Sequence, residues 1–172
     1  MNRDHQTGDF LPAIIAIVTV SDTRTLQDDR SGQLIEEKLR NAGHHIGERL
    51  VVKDDRVAIR NAVFSLVQQD QCAAIIVTGG TGFSARDVTP DAVQPLFEKH
   101  IPGFGELFRM LSYQEIGSST IQSRADAGLC GNTLVFLLPG STPACRLAMD
   151  AIILEQLDNR HKPCNFREIV GR

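Results

Sequence analysis

Residues 78–91 read TGGTGFSARDVTPD, a density of chemistry that a globular scaffold does not need for folding alone. Gly79, Gly80 and Gly82 let the backbone approach a ligand closely and turn its N–H groups inward as an anion-binding nest. Asp87 follows at once, with Arg86 beside it. A carboxylate this near a phosphate nest would be repelled unless a cation lay between them. Mg2+ is commonly held in that way, by one or two carboxylates together with substrate phosphates. Asp54 has a comparable place after another apolar run, where either it or Asp55 can cap a helix. Pro139, Gly140, Ser141 and Thr142 end a further apolar run. Their N–H groups and hydroxyls can face an anion, or Thr142 can simply cap the next helix ahead of Pro143. Ser123 and Arg124 can add a hydroxyl and a guanidinium suited to phosphate.

One competing reading fails on context. Gly80, Gly82 and Ala85 fit the dinucleotide spacing G-x-G-x-x-[GA]. That fingerprint opens a helix directly and follows the first strand. Here Pro90 would break such a helix, and the segment follows the third apolar run. The residues therefore specify a site for a Mg-nucleotide or a phosphorylated small molecule.

The elements that must carry these residues alternate. Residues 13–20, 73–77 and 133–138 are apolar runs that predict buried strands, and residues 46–52 read as a further strand. Between them lie helical stripes, Ile35 and Leu39 in one, Ile59, Val63 and Leu66 in another, with Gly43 as a stop after the first. Thr89 with Pro90 predicts a helix start. Residues 104–113 and 144–152 predict further helices, and residues 116–132 a loop or short hairpin. Alternation of this kind predicts an α/β fold, a three-layer α/β/α domain around a mostly parallel sheet. Ligands in such sheets bind at the carboxyl ends of strands. Ser21, residues 53–55, residues 78–91 and residues 139–142 all fall at such ends. Residues 1–11 read as a flexible arm, and residues 12–172 as a single domain.

Composition excludes several classes. A net charge of −3 and the lack of any dense Lys/Arg run argue against nucleic acid as a partner. No apolar run has the length of a membrane span. The polar residues 1–9 lack a signal-peptide centre, so a cytoplasmic location is expected. Cys72, Cys130, Cys145 and Cys164 form no C-x-x-C pair and are expected as free thiols.

Taken together, Val18–Ser21 with Asp29, Ser31 and Gly32, Val52 with Asp54 and Asp55, residues 78–90, residues 102–105, Ser123 with Arg124, and residues 138–141 resemble the molybdenum cofactor biosynthesis family. That family joins a protein B branch to the molybdopterin adenylyltransferases. Residues 108–117 and 160–166 are similar to the protein B branch. The resemblance implies a three-layer α/β domain assembled as homotrimers or as homohexamers of two trimers. It implies molybdopterin as ligand, ATP as co-substrate and Mg2+ as cofactor, with adenylylated molybdopterin and pyrophosphate as products. Asp54 and Asp87 match the family's catalytic aspartates and would hold Mg2+ or align the attacking phosphate. Gly79, Gly80, Thr81 and Gly82 would cradle nucleotide phosphates. Ser21, Ser123, Arg124, Pro139, Gly140 and Ser141 would line the pterin and its phosphate. Other molybdenum cofactor biosynthesis proteins are implied as partners. Lys53 departs from the adenylyltransferase pattern, where proline often stands. The alternative is a non-catalytic molybdopterin-binding or assembly protein of the same pathway.

Overall fold

The structure, a computed structural model, describes residues 8–170. The greater part of the expected N-terminal arm, residues 1–7, lies outside the described residues. Six strands form one sheet in the order β2-β1-β3-β6-β5-β4. β1 (Ile14–Val20), β2 (His45–Val52), β3 (Cys72–Thr78) and β6 (Thr133–Leu138) run parallel. β5 (Asp126–Cys130) and the two-residue β4 (Lys99–His100) run antiparallel along one edge. The segment expected as a loop or hairpin thus supplies a sheet strand, turning into β6 at residues 131–132.

The strands alternate with period two, and that alternation fixes the layers. Ile15 and Ile17, Ala74 and Ile76, and Leu134 and Phe136 point to one face. There they meet α1 (Arg30–Asn41), α4 (Pro102–Ile116) and α5 (Thr142–Ala148). α5 runs on through a π-helical turn (Met149–Ile153) into α6 (Leu154–Leu157). Ala16, Val18, Ile75, Val77, Val135 and Leu137 point to the other face, against α2 (Arg56–Val67) and α3 (Thr89–Val93). Three layers result, as the alternation of strands and helices predicts.

Four helix starts fix where side chains at the sheet edge go, and two of them, those of α3 and α5, differ from the expected capping. Asp29 caps α1, accepting from the Gly32 N–H at 2.9 Å. Asp55 rather than Asp54 caps α2, accepting from Val57 and Ala58. Thr89 does not cap α3. It is the first helical residue, and its hydroxyl donates to the Gly79 carbonyl at 2.8 Å. Ser141, not Thr142, caps α5, accepting from Ala144. The freed Thr142 hydroxyl instead meets Ser31 Oγ at 3.2 Å. At α2, α3 and α5 a candidate cap, Asp54, Thr89 or Thr142, is thereby left for the loops at the sheet edge.

All four cysteines are free thiols; Cys72, Cys130 and Cys145 are buried and Cys164 is exposed. Among the described residues no helix is long and apolar enough to cross a membrane.

At the opposite end of the sheet His44 is buried, and its Nδ1 accepts from the Ala13 N–H at 3.2 Å. Phe10 packs on its ring. Burial, with Arg167 nearby, pushes its pKa down to about 4. The imidazole is therefore neutral in the fold, while an unfolded chain takes up a proton below about pH 6.5. Stability is whole above that value and falls with acid, by roughly 1.4 kcal/mol for each pH unit, until the folded group also titrates. The expected result is a loss of stability between pH 6.5 and about 4, flattened in His44→Asn, read by urea unfolding across pH.

Candidate functional site

The four parallel strands end side by side, at Val52, Val20, Thr78 and Leu138. β5 runs the other way, so its beginning joins the same edge, with Asp126 opposite Leu137. Ser123 and Arg124, just before β5, are delivered there too. A cavity of about 740 Å³ opens at this edge, within the range of small-molecule sites. Ser21, Gly79, Gly80, Thr81, Gly82 and Asp87 line it, as do Ser123, Pro139, Gly140 and Ser141. Asp54 and Arg124 are not in its lining.

Asp54 stands directly behind the glycine loop. Gly80 has φ of 63°, and a Cβ built there would lie 2.4 Å from Thr89 Oγ1 and 3.1 Å from Asp54 Oδ1. Only glycine admits both that conformation and that approach. Asp87 faces the same loop, its Oδ2 2.8 Å from where a Gly82 Cβ would sit, and the same oxygen accepts from the Ser84 N–H at 2.8 Å. The loop is thus thin enough to bring backbone N–H groups and two carboxylates to one place.

Asp54 Oδ1 is buried without a hydrogen-bond partner. Burial raises the Asp54 pKa, and the negative charges of Asp87 and Asp22 raise it further, against a lowering by the Val88 N–H and Arg86. A carboxylate so placed is short of positive charge. Among the described residues no three His, Cys, Asp or Glu side chains gather closely enough to hold a metal. Two carboxylates are instead the share that protein gives to Mg2+ when substrate phosphates complete the shell. Asp54 and Asp87 fit that ion.

Arg124 is placed differently from the expectation that it lines the ligand. Its Nε donates to the Gly82 carbonyl at 2.9 Å, one terminal nitrogen to Asp91 at 2.9 Å, and the other to the Asp87 carbonyl. Its guanidinium also lies over the Phe83 ring. All three nitrogens hold the far side of the glycine loop, and the salt bridge draws the Asp91 pKa down. Ser21 Oγ accepts from the Arg24 N–H at 3.1 Å, which turns the chain out of β1 while leaving Ser21 on the cavity wall.

Several lining residues escaped the sequence reading. Arg24 and Arg30 reach the cavity from the loop after β1 and the start of α1. Phe108, Ser112 and Thr120 come from α4 and the 3-10 turn (Gly117–Gln122) after it. The Ser/Thr richness of residues 117–123 is the available sequence signal for them, and it equally suits a plain loop. Cys145 lies beneath the site, 3.1 Å from Thr78 Oγ1, with burial pushing its thiol up to about 11. Such a thiol is not a nucleophile at neutral pH.

The chain matches the family of probable molybdopterin binding domains over residues 16–159. It is 49% identical over 158 residues to molybdenum cofactor biosynthesis protein B of Escherichia coli K12, covering 92% of this chain and 93% of that protein. It is 49% identical over 142 residues to the Bacillus subtilis protein of that name, with 82% and 84% covered. Among solved structures, a crystal structure of a molybdenum cofactor biosynthesis protein B superposes with a TM-score of 0.83 at 48% identity, covering 86% of this chain and 92% of that one. The tungsten cofactor synthesizing protein MoaB from Pyrococcus furiosus superposes at 0.75 and 34% identity, with 82% and 90% covered. The chain belongs to this family of molybdopterin binding domains, beside the molybdenum cofactor biosynthesis proteins B.

Proposed function

We propose that this protein acts in molybdenum cofactor biosynthesis by binding molybdopterin and adenylylating it with Mg·ATP. The observation that carries the reading is the unpartnered Oδ1 of Asp54 against Gly80, with Asp87 on the same thin loop. In this reaction the terminal phosphate of molybdopterin attacks the α-phosphorus of ATP. A P–O bond forms to the pterin phosphate, the bond to the β-phosphate bridging oxygen breaks, and pyrophosphate leaves. An ionised phosphate needs no base, so positioning and charge neutralisation suffice. Bound Mg2+ would supply that neutralisation. Asp54 and Asp87 would hold the ion. The N–H groups of Gly80, Thr81 and Gly82 would orient the nucleotide phosphates, whereas the Gly79 N–H donates to the Leu138 carbonyl at 3.0 Å and so fixes the start of the loop instead of facing the ligand. Ser21, Ser123, Pro139, Gly140 and Ser141 would receive the pterin and its phosphate, and Arg124 would keep the loop in shape.

Incubation with molybdopterin, Mg2+ and labelled ATP is expected to yield adenylylated pterin and pyrophosphate. Pterin binding with no such products would leave a carrier and sink the enzyme. Asp87→Ala and Asp54→Asn are each expected to lower turnover by about a hundredfold or more, with circular dichroism unchanged. Gly80→Ala should weaken binding of a non-hydrolysable ATP analogue in calorimetry and cost about 1–3 kcal/mol of stability, because its methyl would meet Asp54 and Thr89 at a positive φ.

The proposed assembly is a homotrimer or homohexamer. Support comes from Leu107, Met110, Tyr113 and Ile116, which leave an apolar strip of α4 exposed, with Ile121 beyond it. Contiguous apolar surface of this kind favours association. Sedimentation equilibrium is expected to give three or six chains, and Met110→Asp to lower that mass.

A further inference from the structure

Asp22 lies outside the cavity and carries none of the roles described above, yet three loops meet on it. Its Oδ1 accepts from the Asp54 N–H at 3.3 Å. Its Oδ2 accepts from the Arg86 guanidinium. Its carbonyl accepts from Lys53 Nζ at 2.6 Å. Lys53 and Arg86 are the sequence neighbours of Asp54 and Asp87. The two cations nearest the carboxylate pair along the chain are therefore both turned onto Asp22. Asp54 Oδ1 keeps no partner, and Asp87 Oδ2 is met by the Ser84 N–H instead of by Arg86.

Arg86 is 71% exposed on its side chain. An exposed ion pair is usually worth little to stability, so the Asp22–Arg86 pair has small value as a clamp. Its consequence is where it puts the guanidinium. Arginine forms strong two-pronged pairs with carboxylates, and one released beside Asp54 and Asp87 would compete with any cation for them.

We propose that Asp22 is a positioning residue that holds Arg86 and Lys53 off Asp54 and Asp87, so that the pair stays open to the divalent cation of a nucleotide. The benefit rests on the nucleotide reading above, whereas the restraint itself does not.

The test uses Asp22→Ala, Asp22→Asn and the double variant Asp22→Ala with Arg86→Ala, in two measurements. In ligand-free protein the side-chain carboxyl carbons of Asp54 and Asp87 are followed by NMR. Their signals should move in Asp22→Ala, as the arginine reaches them, and return toward the native positions in the double variant. Signals that stay put in Asp22→Ala, or that fail to return, overturn the proposal. The second measurement is Mn2+ binding with a non-hydrolysable ATP analogue, followed by electron paramagnetic resonance. Asp22→Ala should weaken it about tenfold, Asp22→Asn less because an acceptor oxygen remains, and the double variant should recover to within about threefold of native. A double variant as weak as Asp22→Ala overturns the proposal, because no loose arginine would then be responsible. Should Asp22→Ala fail to fold, Arg86→Ala alone decides: native or tighter Mn2+ binding supports the restraint, and weaker binding overturns it. If the native protein bound no Mn2+ with the nucleotide, the nucleotide reading would fall, while the ligand-free carboxyl signals would still decide the role of Asp22.

Discussion

A carboxylate oxygen with no partner, Asp54 Oδ1, stands behind a loop too thin to bear a side chain. Much of the sheet edge is arranged around that constraint. Burial and the neighbouring Asp87 and Asp22 raise the Asp54 pKa. For an acid raised in this way, stability is fully present below the unfolded pKa and is lost as pH rises through the folded one. Above the unfolded pKa the group therefore costs the fold stability. Burial of Ile, Val, Leu and Phe side chains on both sheet faces offsets that cost. Strain or unpaired charge that the core can carry is a common mark of a site rather than of a scaffold.

The scaffold was legible because its signals are periodic. Apolar runs such as residues 133–138 leave no face for water, which is the signature of a strand covered on both sides. The parallel order could then be inferred from helices between strands, and the strand ends that carry Ser21, Asp54, Gly79 and Gly140 came together as expected. Less legible was the antiparallel edge. β5 contains Gly128 and begins with Asp126, and such residues weaken a strand signal. Asp126 is paired with His100 and Gln94, a long-range arrangement with no local signature. Yet this edge decides the place of Arg124, because β5 must begin where its parallel neighbours end.

The parts of the site that escaped the sequence are those set by which partner a side chain takes. Arg124 has the chemistry of a phosphate ligand, but three backbone and side-chain acceptors of the glycine loop take its nitrogens first. Arg86 sits next to Asp87 in sequence and pairs with Asp22 instead. Adjacent residues in a loop need not share a direction, and a guanidinium suited to phosphate goes first to whichever acceptor the fold brings to it. Thr89 shows the same effect on a smaller scale. Its hydroxyl serves the Gly79 carbonyl, and so pins the glycine loop to the start of α3 instead of capping it.

These partner choices follow one pattern. Arg124, Thr89 and Ser84 act on the glycine loop from its outer side, while Asp22 gathers the nearby cations at a distance from Asp54. The cationic side chains of Arg86, Lys53 and Arg124 are thereby committed to backbone or to another acid. What remains facing the cavity is backbone N–H, hydroxyls and the Asp87 and Asp29 carboxylates, with Arg24 and Arg30 on the loop and helix that follow β1 and Asp54 behind the glycine loop. Phosphates can be held by such donors, but the acidic groups tolerate them only through a cation. The exposed side chain of Ile116 near Ser119 and Gln122 gives the same cavity an apolar wall where a flat heterocycle with polar edges can rest. A ligand that combines phosphate, ring and metal satisfies all of these surfaces at once, whereas a bare anion would leave the carboxylates repelled and the apolar wall wet.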